Sequence, residues 1–440
     1  MNKTDCELII DARWVLTIAP AHEVLEEASV VVDGGRIRAV GPREAIHTAW
    51  SGAASVKLPD HALLPGLVNA HGHAAMTLLR GFAEDAPLDE WLSRHIWPLE
   101  ARLVSEAFVR DGTRLAAAEM IRSGTTCFSD MYFFPEVTAD VARNAGLRCQ
   151  VAFPLIPFAN AWSRDIGDAM HKGMALHDSY RGHPLVQVAF GPHAAYSVSR
   201  SDLEKIRTYS DELEAPVQIH LHETAHEVAN ARAEAGMSWI ELLAEVGLLT
   251  PRLQAVHVTQ AEDAEIALLA DNQAQVVHCP HSNLKLASGI CPVEKLLRAG
   301  VNVALGTDGA AANNTLDVLD EARLATLLAK ITSGDARSLP ESRALEMATL
   351  GGARALGLEA EIGSLEPGKQ ADLIAVDLSA GRFQPVYDPT STLIHCAAGS
   401  AVSHVWTAGR PLLFDGDLTT LEEGPVLQAA ALWMERVRGQ

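Results

Sequence analysis

Ala62-Leu63-Leu64-Pro65-Gly66-Leu67-Val68-Asn69-Ala70-His71-Gly72-His73 is an apolar strand that runs into two histidines, and the fold follows from how often the chain repeats that grammar. The strand occupies 62–68. Further apolar runs of strand length follow at 125–128, 147–153, 185–190, 217–221, 253–258, 274–277 and 301–305. Between them lie helix-length stretches such as 87–110 and 238–246, with apolar residues at three- and four-residue steps. Strands alternating with helices indicate parallel βαβ units, and eight such units close into a barrel.

Outside this region the text changes. Residues 6–10, 14–18, 28–32 and 36–40 read as short strands, the last two joined at Asp33-Gly34-Gly35, a tight-hairpin signal. Strand text returns at 371–376 and 402–407, and a helix is expected over 424–438. The expected architecture is α/β: a (β/α)8 TIM-type barrel over 63–366 beside a small β-sandwich domain built from both termini, 1–62 and 367–440.

With 440 residues, 48% hydrophobic and 21% charged, the composition is globular. A net charge of −21 opposes the counterion release that draws proteins to DNA, RNA or anionic lipid, so nucleic acid is not an expected partner. No uncharged apolar run reaches about 18 residues and no cationic leader precedes one, so no membrane association is expected and the expected location is cytoplasmic. The six cysteines form no CxxC pair and are expected to be reduced; Cys127, Cys149 and Cys279 read as small buried thiols.

A (β/α)8 barrel carries its reactive groups at the C-terminal ends of its strands. Here strand one leads to His71 and His73, and strand four to Gly191-Pro192-His193. Strand five carries His220 and leads to Glu223, strand six carries His257, and strand seven precedes His278 and His281. Strand eight ends in Gly306-Thr307-Asp308-Gly309. Neutral imidazoles with one carboxylate suit a borderline ion such as Zn²⁺, with water in an open position. Each residue alone has a plainer reading: hydrogen-bonding loop histidines at His71 and His73, a satisfied barrel-interior histidine at His220, a turn or N-cap residue at Asp308. Jointly, at the ends of strands one, five and eight, they favour a metal.

Leu64 through His73, His220-Leu221-His222-Glu223, His257, Gly306-Thr307-Asp308-Gly309 and the tail from Gly363 to Leu373 resemble the amidohydrolase superfamily. Within it they are similar to the methylthioadenosine and S-adenosylhomocysteine deaminases, relatives of the chlorotriazine hydrolases. The resemblance spans almost the entire chain. It implies His71, His73, His220 and Asp308 as ligands of one Zn²⁺ per chain, another divalent metal being the alternative. Relatives with two metals place a bridging lysine at the end of strand four; Phe190-Gly191-Pro192-His193-Ala194-Ala195-Tyr196 has none, which implies a mononuclear site. The resemblance also implies that Glu100 contacts ribose hydroxyls and His193 the base. From pattern alone Glu100 reads as a solvated helix residue.

The implied reaction is hydrolytic deamination of an adenine nucleoside, with 5′-methylthioadenosine foremost and S-adenosylhomocysteine and adenosine as further substrates. A water activated at the ligand cluster would attack C6. Asp308, with His257 beside it, would take and orient the water's proton, and Glu223 would protonate a ring nitrogen. Glu223 has a plainer reading as a helix-start carboxylate. Residues 153–162 contain no cation, and the next is Arg164, which suits a thioether better than a zwitterionic tail. The alternatives are a deaminase of guanine, 8-oxoguanine or a pterin, a triazine-type hydrolase, or a non-catalytic scaffold on the same barrel. The expected partners are a small purine nucleoside and, from the family, further copies of the chain in a homo-oligomer.

Overall fold

The structure, a computed structural model, describes residues 3–396 and 398–439. Strands β1 (Thr4–Leu16), β2 (Val24–Asp33) and β3 (Arg36–Pro42) form an antiparallel meander, and β4 (Trp50–Pro65) pairs with β1 in parallel. The β2–β3 turn is the expected hairpin: Gly34 and Gly35 both sit at positive φ, 59° and 70°, the backbone that a tight turn of matching twist requires. Residues 6–10 and 14–16 belong to the single strand β1, bent at an irregularity between Ala12 and Trp14, and Thr17 and Ile18 lie just past its end.

The barrel follows as β5 (Leu67–Asn69), β6 (Thr125–Asp130), β7 (Arg148–Leu155), β8 (Val186–Pro192), β9 (Val217–Leu221), β10 (Leu253–His257), β11 (Gln275–His278) and β12 (Val303–Leu305). All eight are parallel and lie in sequential order. Just beyond the strand ends, Ala70 N donates to Leu305 O and Asp308 N to His71 O, drawing the last strand to the first. The chain then returns as β13 (Leu373–Asp377), β14 (Val402–Thr407), β15 (Arg410–Phe414) and β16 (Asp417–Leu418). β13 pairs antiparallel with β4, so the terminal sheet draws on both ends of the chain. Ile10, Val30, Leu63, Leu373 and Trp406 pack in its core.

Two expectations need correction. The apolar run 62–68 is not one strand: up to Pro65 it belongs to β4 and pairs with β13, and from Leu67 it is β5, paired with β6. Gly66 is the hinge. Its N–H donates to Asp372 O, and a Cβ there would stand 2.1 Å from Thr126 Oγ1, so no side chain fits. The run 87–110 is likewise not one helix. A π-wound turn, Trp91–Ile96, leads into the helix Trp97–Leu103, and the chain turns extended at Val104. Ser105 then caps a new helix, Glu106–Arg122, by accepting from Phe108 N. The helix Glu423–Arg438 closes the chain much as expected.

Among the described residues no helix is long and apolar enough to cross a membrane. No cysteine among them is in a disulfide; Cys127, Cys149 and Cys279 are buried, and burial pushes the Cys127 thiol up to about 12, which makes it a poor nucleophile.

The seam between the sheets is polar and buried. Arg148, at the start of β7, donates through Nε to Asp372 Oδ2 at 2.7 Å and through Nη2 to Asp372 Oδ1 at 3.1 Å, while Asp372 Oδ1 also accepts from Ala408 N. Asp372→Ala would leave the guanidinium buried and uncompensated, which costs about 3–5 kcal/mol. The expected result is a clearly lowered unfolding midpoint in thermal or urea melts; an unchanged midpoint would contradict this role for the pair.

Candidate metal centre and active site

Three imidazoles converge beyond the strand ends, and each has its Nδ1 occupied. His73 Nδ1 lies 2.6 Å from Met131 O and His220 Nδ1 lies 2.7 Å from His193 O. A carbonyl oxygen only accepts, so both Nδ1 atoms carry the proton. His71 Nδ1 meets Gln218 Oε1 at 2.8 Å, and that amide is fixed in orientation because the two protons of its Nε2 face Ala70 O, Ser129 Oγ and Gln254 Oε1, all within 3.1 Å. In the neutral imidazoles all three Nε2 atoms are then acceptors; against the effect of burial, the Asp308 carboxylate raises His73 to about 9, so a metal ion here displaces a proton that His73 otherwise holds toward Asp308. His220 Nε2 stands 3.2 Å from His71 Nε2, and Asp308 Oδ1 lies 3.2 Å from His73 Nε2 and 3.7 Å from His71 Nε2.

Buried ring nitrogens that face one another and a carboxylate fit a cation. Ligand atoms of His71, His73 and Asp308 lie within 4.8 Å of one another, and so do those of His71, His220 and His257. His257 differs from the others in its protonation. Asn283 Nδ2 stands 2.9 Å from its Nδ1, an arrangement in which the amide donates and the imidazole proton sits on Nε2, so His257 presents a donor rather than a lone pair. That leaves His71, His73, His220 and Asp308 as the side chains that could hold the ion, a donor set suited to zinc.

The local backbone explains the placement. His71 and His73 follow β5, whose last residue, Asn69, donates through Nδ2 to Thr307 Oγ1 and accepts from Thr307 N, tying the His71 segment to that of Asp308. Asp308 sits at φ +60° and accepts through Oδ1 from Gly309 N and through Oδ2 from Ser282 Oγ at 2.6 Å. Glu223 is buried beyond β9: its N–H donates to Glu227 Oε2, its Oε1 accepts from Ser288 Oγ, and its Oε2 lies 3.6 Å from His257 Nε2. Burial, reinforced by the charge of Asp308, pushes its carboxyl up to about 8, so it holds a proton at neutral pH.

The remaining expected residues sit around this cluster. The His193 ring packs 5.0 Å from that of His220, and burial, with the neighbouring imidazoles His73 and His71, pulls it down to about 4. Glu100 is not the solvated helix residue its pattern suggested. It is half-buried and accepts from the Tyr132 hydroxyl at 2.6 Å; burial pushes its carboxyl up, opposed by Tyr132 and His73. His278 is buried with neither ring nitrogen hydrogen-bonded, and His281 bonds Glu321; neither joins the cluster. Sequence reading missed Gln218, Ser282, Asn283 and Tyr132. Only Gln218 left a signal, two residues before His220 on the same face of the strand.

A (β/α)8 barrel with imidazoles and a carboxylate gathered at its strand ends belongs to the class of metal-binding barrel proteins. The comparison with known families is specific: the chain belongs to the amidohydrolase family, whose model matches residues 62–412. It is 49% identical to a protein of Teredinibacter turnerae named 5-methylthioadenosine/S-adenosylhomocysteine deaminase, over 99% of both chains. Among solved structures it is similar to an adenosine deaminase of Xanthomonas campestris with bound zinc, at 46% identity, full coverage of both chains and a TM-score of 0.98. An atrazine chlorohydrolase of Arthrobacter aurescens shares the fold at 22% identity, with a TM-score of 0.91 over 97% of this chain and 100% of that one.

Gln218 sets which nitrogen of His71 is free. Gln218→Leu removes that acceptor, and loss of such a partner typically weakens metal affinity about 10- to 100-fold. Competition against a chromogenic chelator measures this; an unchanged affinity would show that something else orients the ring.

Proposed function

We propose that this protein is a zinc-dependent hydrolytic deaminase of adenine nucleosides. The observation that carries the reading is the convergence of three imidazoles, each with its Nδ1 engaged, and the Asp308 carboxylate beside the buried carboxyl of Glu223. The names of its relatives support the substrate class.

His71, His73, His220 and Asp308 would hold a zinc ion, and its Lewis acidity would bring a water near neutrality in pKa. The chain's own groups do the rest. Asp308 accepts the proton of the attacking water, and His257 Nε2–H donates a hydrogen bond that orients it. Glu223 delivers its proton to N1 of the ring as oxygen adds to C6, so that water is added across the C6–N1 bond. The proton taken by Asp308 passes to the exocyclic nitrogen and the C6–N bond breaks, while the C6 hydroxyl gives its proton back to the ionised Glu223 as the carbonyl forms; ammonia leaves an inosine-type product that keeps the proton on N1. Glu100 accepts from the ribose hydroxyls, and His193 contacts the base.

The 5′ side favours a short thioether. Arg148 is committed to Asp372 at the opposite end of β7, and Arg164 stands 84% exposed beside Asp168, so the segment presents no buried cation to an amino-acid carboxylate. Phe158 and Ile156 leave that segment apolar. 5′-Methylthioadenosine is therefore the preferred substrate, and S-adenosylhomocysteine and adenosine are turned over less efficiently.

Competition kinetics with both thioether nucleosides, followed as ammonia release, are expected to give the higher kcat/KM for methylthioadenosine. Equal or better turnover of S-adenosylhomocysteine would sink the preference and leave the deaminase reading standing. Glu223→Gln is expected to retain zinc by elemental analysis while kcat falls by about 10² to 10⁴. Near-normal turnover in that variant would assign the proton to another residue.

A further inference from the structure

Glu100 carries two oxygens, and one of them is already committed. The Tyr132 hydroxyl donates to Glu100 Oε1 at 2.6 Å. Tyr132 is itself only 5% exposed, and its ring packs in one cluster with Trp91, Ile96 and Leu99, apolar residues of the same helical stretch that carries Glu100. The two residues before it are pinned as firmly. Asp130 Oδ1 accepts from Ala74 N, Met131 N donates to Gly72 O, and Met131 O accepts from His73 Nδ1. The three residues that end β6 and follow it thus fix the His73 imidazole and the Glu100 carboxylate in one relation.

We propose that Tyr132 is a specificity-determining positioning residue: its hydroxyl holds the Glu100 carboxylate in the orientation that grips a vicinal diol, so that the site selects ribonucleosides over deoxynucleosides. The proposal rests on the deaminase reading above. A vicinal diol needs two acceptor sites presented together, and a carboxylate free to rotate about its last bond spends part of its time with one hydroxyl unmatched. The Tyr132 bond removes that freedom at Oε1 and leaves Oε2, with the second lone pair of Oε1, for the substrate. A site built to hydrogen-bond a hydroxyl rejects an analogue that lacks it, because its own buried polar group is then left unpaired.

The test compares adenosine with 2′,3′-dideoxyadenosine on zinc-loaded wild type and Tyr132→Phe, with metal content measured on each preparation. Loss of a hydrogen bond to a charged group predicts a fall of about 10- to 100-fold in kcat/KM for adenosine, carried mainly by KM, with metal content unchanged. Turnover of the dideoxynucleoside should stay near the wild-type value. In a Glu100→Gln background, which is itself expected to erase the preference for ribose, Tyr132→Phe should change the ratio of the two substrates no further. Equal losses on both nucleosides would overturn the proposal, since Tyr132 would then act through the fold or through His73. A ribose preference that survives Glu100→Gln would overturn it as well. A wild-type enzyme that deaminates neither nucleoside would instead overturn the deaminase reading, and this proposal with it.

Discussion

The protons on three Nδ1 atoms organise everything at the top of this barrel. Met131 O, His193 O and Gln218 Oε1 hold them, and the consequence is a set of Nε2 lone pairs aimed at one another and at a carboxylate. Without a proton or a cation among them such lone pairs are unfavourable, because buried acceptors without donors have lost water and gained nothing. It becomes favourable with a cation among them. The surrounding fold bears the cost in advance: two of the three acceptors are backbone carbonyls just beyond rigid strands, and the third is a glutamine whose amide is itself fully engaged.

Rigidity at the site depends on joints far from it in sequence. Gly66 lets the chain leave the terminal sheet and enter the barrel only a few residues before His71. Its N–H is held by Asp372, whose carboxylate also clamps Arg148 of β7. On the other side, Asn69 and Thr307 exchange hydrogen bonds, so the first and last strands of the barrel deliver His71, His73 and Asp308 as one unit. Terminal sheet and metal centre are thereby two ends of one short mechanical linkage.

Much of this was legible in the sequence. The barrel strands announced themselves because buried parallel strands are apolar on both faces, and reactive side chains at strand ends interrupt that text with histidine and aspartate. What stayed hidden were groups whose meaning depends on distant partners. Glu100 reads as a solvated carboxylate until Tyr132, a separate stretch of chain, closes on it. Met131 and His193 serve the cluster through backbone carbonyls, which carry no sequence signal at all. The break at Gly66 cannot be read locally either, since β13, which claims the residues before it, lies some three hundred positions later. The break after Leu103 did have a local signal, the cap at Ser105, but the continuous apolar periodicity on either side outweighed it.

X-ray absorption at the zinc edge of the loaded protein tests the central claim most directly, because it counts the donors without reference to turnover. Convergent Nε2 atoms of His71, His73 and His220, with Asp308, predict three imidazole nitrogens at about 2.0–2.1 Å and oxygen at about 2.0–2.2 Å. No second metal should appear in the scattering. A sulfur shell at about 2.3 Å, or a metal neighbour at about 3.5–4 Å, would contradict it.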